Sequence, residues 1–405
     1  MGRFSSRRES STLVSVLLPG GSDWVQAAGA GSITLNAAEP SVVLCSDAGR
    51  CFEQASCAPI FPRSMTHAAI ASGENIIIGS TRSAAAASGV PFSFPHHLLD
   101  IASLQRSDLL TIFECALMMR ETMLRPNHWS TMLAGRVVVN LFAENSTRTR
   151  SSFELAERRL GMTVVNFSAE GSSFAKGESL RDTVRNLEAM RINAIVLRHS
   201  SGGAAQFVAS HCNVVVVNAG DGRHEHPTQG LLDTFTLYER WRHDAGPGGT
   251  GFEGRRVTIV GDILHGRVAL SNIHALRLLG AEVAVCAPPT LLPRGIETLV
   301  DRVFIHLAEA VEWSDALNML RVQHERMDRA FFPNVREYTR LFGLNHARLG
   351  TMQSPPLVLH PGPINRGVEL DSATADGPCS LILPQVENGV AVRMAVLALL
   401  LGEGT

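Results

Sequence analysis

The chain has 405 residues, 45% of them hydrophobic and 18% charged, which is enough to bury a substantial core and, at about 150 residues per domain, to build two or three domains. Its 36 lysines and arginines against 38 aspartates and glutamates give a net charge of −2, with no basic excess to drive nucleic-acid binding. The longest uniform apolar runs, such as Val214–Val217 and Ala395–Leu401, fall far short of the ~20 residues that span a bilayer, so the composition argues against a membrane, disordered or fibrous protein.

Residues 1–92 open with Arg3, Ser5, Ser6, Arg7, Arg8, Ser10 and Ser11, continue as short apolar patches broken by glycine, and sustain neither a helical nor a strand period. They read as a leader, either disordered or an organelle-targeting segment, with Glu9 and Asp23 counting against targeting. Cys45, Cys51 and Cys57 are evenly spaced but lack zinc-site spacing. Seven cysteines in so long a chain do not suggest a disulfide framework, so a reducing, cytoplasmic setting is expected. Organelle import through 1–92 is the alternative.

From about Pro91 the pattern becomes regular. Leu98–Met123 has a helical period and Val137–Phe142 is an apolar run of strand length. Phe153, Ala156 and Leu160 mark one face of a helix that Gly161 ends. Val164–Phe167, Ala194–Leu197 and Val214–Asn218 read as strands alternating with helices, the signature of parallel βαβ units. After the Gly/Pro-rich stretch Ala245–Gly254, a second series follows: strand Arg256–Val260, helix Val268–Leu279, strand Glu282–Ala287. Helix Val390–Leu401 closes the chain before Gly402. The expected architecture is two doubly wound parallel-sheet α/β domains joined by helices, after the leader at 1–92. The domains are placed at 93–235 and 236–388, with a final helix, 389–402, packing back on the first.

The densest chemical signal is Ser146-Thr147-Arg148-Thr149-Arg150, which follows a strand and opens a helix. Free backbone N–H groups and the positive end of a helix dipole favour anions there, and a guanidinium fork matches phosphate oxygens. An N-cap needs one hydroxyl, and this segment has three together with two arginines. A second cluster, Asn218 to Asp221 and then His224, His226, Pro227, Thr228 and Gln229, lies at a C-terminal strand end, where open α/β sheets bind ligands. His226 and Gln229 share a face at a helix start and suit a polar contact to a small substrate better than a metal. Gly246, Gly248 and Gly251 spell G-x-G-x-x-G, but they precede a strand instead of following one, so the match is spurious.

Together these segments resemble the aspartate/ornithine carbamoyltransferase family over about Pro91 to Gly402. The match includes Ser172 to Glu178, Leu197-Arg198-His199, Gly261-Asp262 with Gly266-Arg267, Arg321 to Arg326, and His360-Pro361-Gly362-Pro363, all in order and spacing. Arg321-Val322-Gln323 is similar to the aspartate-using branch, and His360-Pro361-Gly362-Pro363 stands where the ornithine branch carries a cysteine motif. The resemblance implies transfer of the carbamoyl group of carbamoyl phosphate to L-aspartate in pyrimidine synthesis, without metal or cofactor. The alternatives are another amine acceptor such as ornithine, or a silent structural partner in a pyrimidine-pathway complex.

By the same resemblance, Arg148, Thr149, Arg198 and His226 are catalytic. Ser146, Thr147, Arg148, Thr149, Arg198, His226, Gln229, Gly362 and Pro363 bind carbamoyl phosphate. Lys176, Arg267, Arg321 and Gln323 bind aspartate. Ser172 and Lys176 reach a neighbouring subunit's site in a homotrimer, and Glu144 and Glu325 orient the arginines. A regulatory chain or dihydroorotase is a further possible partner, whereas nucleic acid and membrane are not expected. Ala143 departs from the family, which usually carries an aromatic there, at a packing cost of ~1–3 kcal/mol.

Overall fold

The computed structural model describes residues 14–17, 24–27, 94–125, 130–168, 178–246, 248–322, 334–350 and 352–402. In the N-terminal unit, β1 (Val14–Leu17) and β2 (Trp24–Ala27) form an antiparallel ribbon, Val14 opposite Ala27, within a stretch whose sequence shows no sustained strand period. The rest of the 1–92 leader, with its disorder or targeting role, lies outside the described residues apart from this ribbon.

The second unit holds two parallel sheets. Leu98 pairs beside Val217 as an isolated bridge, and Asp108 accepts the Gln105 N–H at 2.8 Å to start α1 (Arg106–Leu124). The expected helix from Leu98 therefore starts eight residues late, because the backbone of 98 is used by the sheet. Then come β3 (Val137–Phe142), α2 (Thr147–Arg159), β4 (Thr163–Ser168), α3 (Leu180–Ala189), β5 (Ala194–His199), α4 (Ala204–Ala209) and β6 (Val215–Asp221). These strands line up in the order β4-β3-β5-β6, all parallel. From Val138 to Phe142 every residue of β3 is buried, as expected for a central strand covered on both faces.

Helix α5 (Pro227–Trp241) leads to the second sheet, so the boundary placed at 235/236 falls inside a continuous helix. There follow β7 (Arg256–Val260), α6 (Arg267–Leu279), β8 (Glu282–Cys286), β9 (Arg302–Phe304), α7 (Leu307–Trp313), β10 (Ala316–Met319), α8 (Val335–Phe342), α9 (His346–Leu349), β11 (Leu357–Leu359), α10 (Ser372–Ala375) and α11 (Ile382–Leu401). The strand order is β11-β10-β7-β8-β9, again all parallel.

Helix α11 starts eight residues before the Val390 expected from its apolar period. Gln385 and Asn388 interrupt that period, and both are buried as hydrogen-bonding ties. It is long and apolar enough to cross a membrane, with a mean hydropathy of 1.3. Seventy-eight per cent of that window is buried inside the fold, and α11 packs against α1, α5 and α2, which accounts for its apolarity on all sides. Within the glycine-rich stretch, Thr250 and Gly251 donate their N–H groups to Glu253 Oε2, each at 3.0 Å, so these two donors are already taken by a carboxylate.

Candidate active site

The chemistry-bearing residues collect at the C-terminal ends of the parallel strands, where the loops of open α/β sheets converge. Beyond β3, the chain passes Ala143 and Glu144 to Ser146, the N-cap of α2, which places Thr147, Arg148 and Thr149 in the first helical turn with no acidic residue there. Burial and the nearby charge of Arg321 lower the pKa of Arg148. Arg321 follows β10 in the other lobe, so the phosphate loop and the second sheet present cations to one region.

Arg198 lies where the β5–β6 register shifts, between the pairs Leu197–Asn218 and His199–Asp221. Such a bulge re-aims a side chain. Its Nη1 donates to Ala219 O at 3.1 Å and to Thr149 Oγ1 at 3.5 Å, and its Nη2 donates to Glu144 Oε1 at 3.2 Å. Gly220 has φ +115°, and a Cβ there would lie 2.9 Å from Arg267 Nη1 and 3.2 Å from Arg198 Nη1. The positive φ favours glycine here, and both guanidinium groups lie close over its bare backbone. Gly362 plays the same part opposite Arg148: its φ is +65°, and a Cβ would come 2.5 Å from Arg148 Nη1.

Arg267 opens α6 and is almost fully buried. Its Nη2 donates to both oxygens of Glu144, at 3.0 and 2.7 Å. The turn before it is braced by Asp262, whose Oδ1 accepts the His265 N–H at 3.0 Å and pairs with His265 Nδ1 at 2.9 Å.

His226 is the N-cap residue of α5 and only 4% exposed. Its backbone N–H donates to Ser271 Oγ at 2.9 Å, and Ser271 in turn donates to the buried Glu225 at 2.8 Å. Neither ring nitrogen has a hydrogen-bond partner among the described residues. Burial, then the charges of Arg198, Arg393 and Arg267, hold the ring pKa well below its ordinary value. The imidazole is therefore neutral at pH 7, with one N–H free to donate. Asp221 Oδ2 accepts Gly203 N–H at 2.7 Å and lies 3.3 Å from His224 Nδ1, and Glu225 accepts Ile101 N–H at 3.0 Å, so both acids are spent on internal partners.

The 360–363 loop is fixed by His360. Gly362 N–H donates to His360 Nδ1 at 2.8 Å, so the ring proton is on Nε2, 3.2 Å from the buried Glu369. The Gly362–Pro363 peptide is cis. The structure thus brings together Ser146, Thr147, Arg148, Thr149, Arg198, His226, Arg267, Arg321 and Gly362 in one region, with Gln229 one turn into α5. Ser172, Lys176, Gln323 and Glu325 lie outside the described residues.

Three groups behind the site escaped the sequence reading. One is the Glu225–Ser271 pair. A second is Arg393 of α11, which donates to Ser152 Oγ at 3.0 Å and stacks over Phe153 at 4.9 Å, and whose pKa burial lowers to about 10. The third is Asp233, fully buried on α5. Its spacing of four from Gln229, within an apolar helix, was the available signal.

The chain matches two family descriptions: "Aspartate/ornithine carbamoyltransferase, carbamoyl-P binding domain" over residues 96–239, and "Aspartate/ornithine carbamoyltransferase, Asp/Orn binding domain" over 253–400. It is 52% identical over 307 residues to the aspartate carbamoyltransferase catalytic subunit of Anaeromyxobacter sp. (strain Fw109-5), covering 76% of this chain and 95% of that one. It is 53% identical over 311 residues to the Maricaulis maris (strain MCS10) protein of the same name, covering 76% and 95%. Among solved structures it resembles the Trypanosoma cruzi aspartate transcarbamoylase complexed with carbamoyl phosphate and aspartate, with a TM-score of 0.66, 30% identity and coverage of 74% and 95%. An ornithine carbamoyltransferase from Pyrococcus furiosus gives the same TM-score at 26% identity, covering 76% and 98%.

Proposed function

The chain belongs to the aspartate/ornithine carbamoyltransferase family, and from that membership we propose that it transfers the carbamoyl group of carbamoyl phosphate to the amino group of L-aspartate, releasing N-carbamoyl-L-aspartate and phosphate. The observation that carries the choice of acceptor is the likeness to aspartate carbamoyltransferase catalytic subunits at 52–53% identity, against 26% for the ornithine carbamoyltransferase structure.

In this reading Ser146, Thr147, Arg148 and Thr149 hold the phosphate, and Arg198 bridges phosphate and carbonyl oxygen. His226 and Thr149 donate to that oxygen. Gln229 and the backbone from Pro361 to Pro363 hold the carbamoyl NH₂, while Arg267, Arg321 and Gln323 hold the aspartate carboxylates. The amine lone pair forms the new C–N bond, and negative charge builds on the carbonyl oxygen. The C–O bond to phosphate then breaks with its electron pair, and the leaving phosphate takes the amine proton. Donors aimed at the oxygen stabilise this transition state more than the ground state. Clamping two small anions in contact supplies the orientation.

The assembly in this reading is a homotrimer, with Ser172 and Lys176 reaching the neighbour's site, and the setting is cytoplasmic. Among the described residues, Cys115, Cys212, Cys286 and Cys379 form no disulfide. A colorimetric carbamoyl-aspartate assay tests the activity, on chains with and without residues 1–92. Product from aspartate is expected; product from ornithine and none from aspartate would overturn the assignment.

A further inference from the structure

Asp233 lies one helical turn beyond Gln229 and has no solvent exposure. Its Oδ1 accepts from Gln229 Nε2 at 2.8 Å and from Gln385 Nε2 at 2.7 Å. Its Oδ2 accepts from Asn272 Nδ2 at 2.8 Å and from Asn318 Nδ2 at 3.1 Å. A carboxylate only accepts, so each amide must turn its NH₂ inward. Two orientations are fixed independently by the backbone. Gln385 Oε1 accepts the His360 N–H at 2.9 Å, and Asn272 Nδ2 also reaches Val268 O at 3.1 Å.

Two consequences bear on the substrate. One N–H of Gln229 Nε2 is held by Asp233, which turns the amide so that its Oε1, an acceptor, lies on the side away from the carboxylate. Gln229 also keeps 9% of its surface exposed, against 2% or less for the other members of the cluster, so it stands at the edge nearest the site. The same Oδ1 holds Gln385, and Gln385 holds the N–H of His360 at the start of the Pro361–Pro363 loop. Both elements that meet the carbamoyl NH₂ in the proposed reaction thus depend on one carboxylate oxygen.

We propose that Asp233 is a positioning residue that makes the site select an NH₂ group on the transferred acyl unit, by locking Gln229 as an acceptor and anchoring the 360–363 loop. This rests on the carbamoyl transfer proposed above. Replacing Asp233 by Leu, of similar shape, removes both acceptor oxygens, so nothing holds the Gln229 amide in its orientation and Gln385 loses the tie that steadies it beneath His360 N–H.

The test compares Kd for carbamoyl phosphate and for acetyl phosphate, its methyl analogue, by calorimetry on the full chain. The wild type should prefer carbamoyl phosphate by at least about tenfold, since acceptors facing a methyl stay unpaired. In D233L that preference should fall by about tenfold or more, through weaker carbamoyl phosphate binding, with acetyl phosphate changed less than about threefold. N318A, which removes a donor from the other oxygen, should keep the wild-type ratio. Should D233L fail to fold, Q385M, which unpairs His360 N–H, should lower the ratio in its place. A D233L or Q385M protein with the wild-type preference, or equal weakening of both ligands, overturns the inference. A wild type that binds neither phosphate overturns the reaction itself.

Discussion

Glu144 and Arg267 tie the two lobes together: Oε2 of the acid, on the loop after β3, lies 2.7 Å from Nη2 of the arginine that opens α6. The same carboxylate takes Arg198 Nη2 at 3.2 Å, so one anion holds two guanidinium groups that would otherwise repel. Replacing Glu144 by Gln keeps the shape and removes the charge. Hydrogen bonds to charged groups are worth about 1.5–3 kcal/mol, so KM for aspartate should rise by roughly 10- to 100-fold, more than KM for carbamoyl phosphate. Steady-state kinetics with both substrates measures this, and an unchanged aspartate KM would show that the pair does not set the lobe geometry.

In the proposed reaction His226 is a neutral donor to the carbonyl oxygen. Replacing it by Ala should lower kcat by on the order of 10²–10³, as for loss of one oxyanion donor. Because burial and three arginines hold its pKa down, wild-type kcat should show no imidazole inflection between about pH 6 and 8. The unfolded chain protonates this ring near pH 6.5 and the folded chain refuses the proton, so its contribution to stability is full above about pH 6.5 and is lost as pH falls below it. Denaturant titrations of wild type and H226A from pH 5 to 8 should converge at the acid end. A wild-type kcat inflection near pH 6.5 that H226A lacks would mean that the ring titrates in use.

The proposed trimer with shared sites predicts complementation. Mixed chains carrying Arg148→Ala and Lys176→Ala, each inactive alone, should regain activity after subunit exchange, because a hybrid contains one intact site when the defects fall on opposite sides of an interface. No recovery after exchange verified by native mass spectrometry would place Lys176 in its own subunit's site or outside any site.

Local pattern placed Ser146 to Arg150 at a helix start, where hydroxyls, guanidinium groups and free N–H groups converge whatever the rest of the chain does. The strands β3 and β7 matched their expected bounds, since parallel strands covered on both faces are predominantly apolar. Helix starts were less legible. Leu98 to Gln105 carries helical-looking apolar spacing but spends backbone groups on β6, and the early turns of α11 hide Gln385 and Asn388 in the interior.

Residue order alone determined the two βα series and the chemical types at the strand ends, because burial periodicity and capping act over a few neighbours. Only the tertiary structure decided which groups meet. Glu144 finds Arg267 across 123 positions of chain, and Asp233 gathers amides from α5, α6, β10 and α11. Desolvation and charge–charge coupling depend on distance in space, so the neutrality of His226 and the orientation of Gln229 exist only once the lobes have packed.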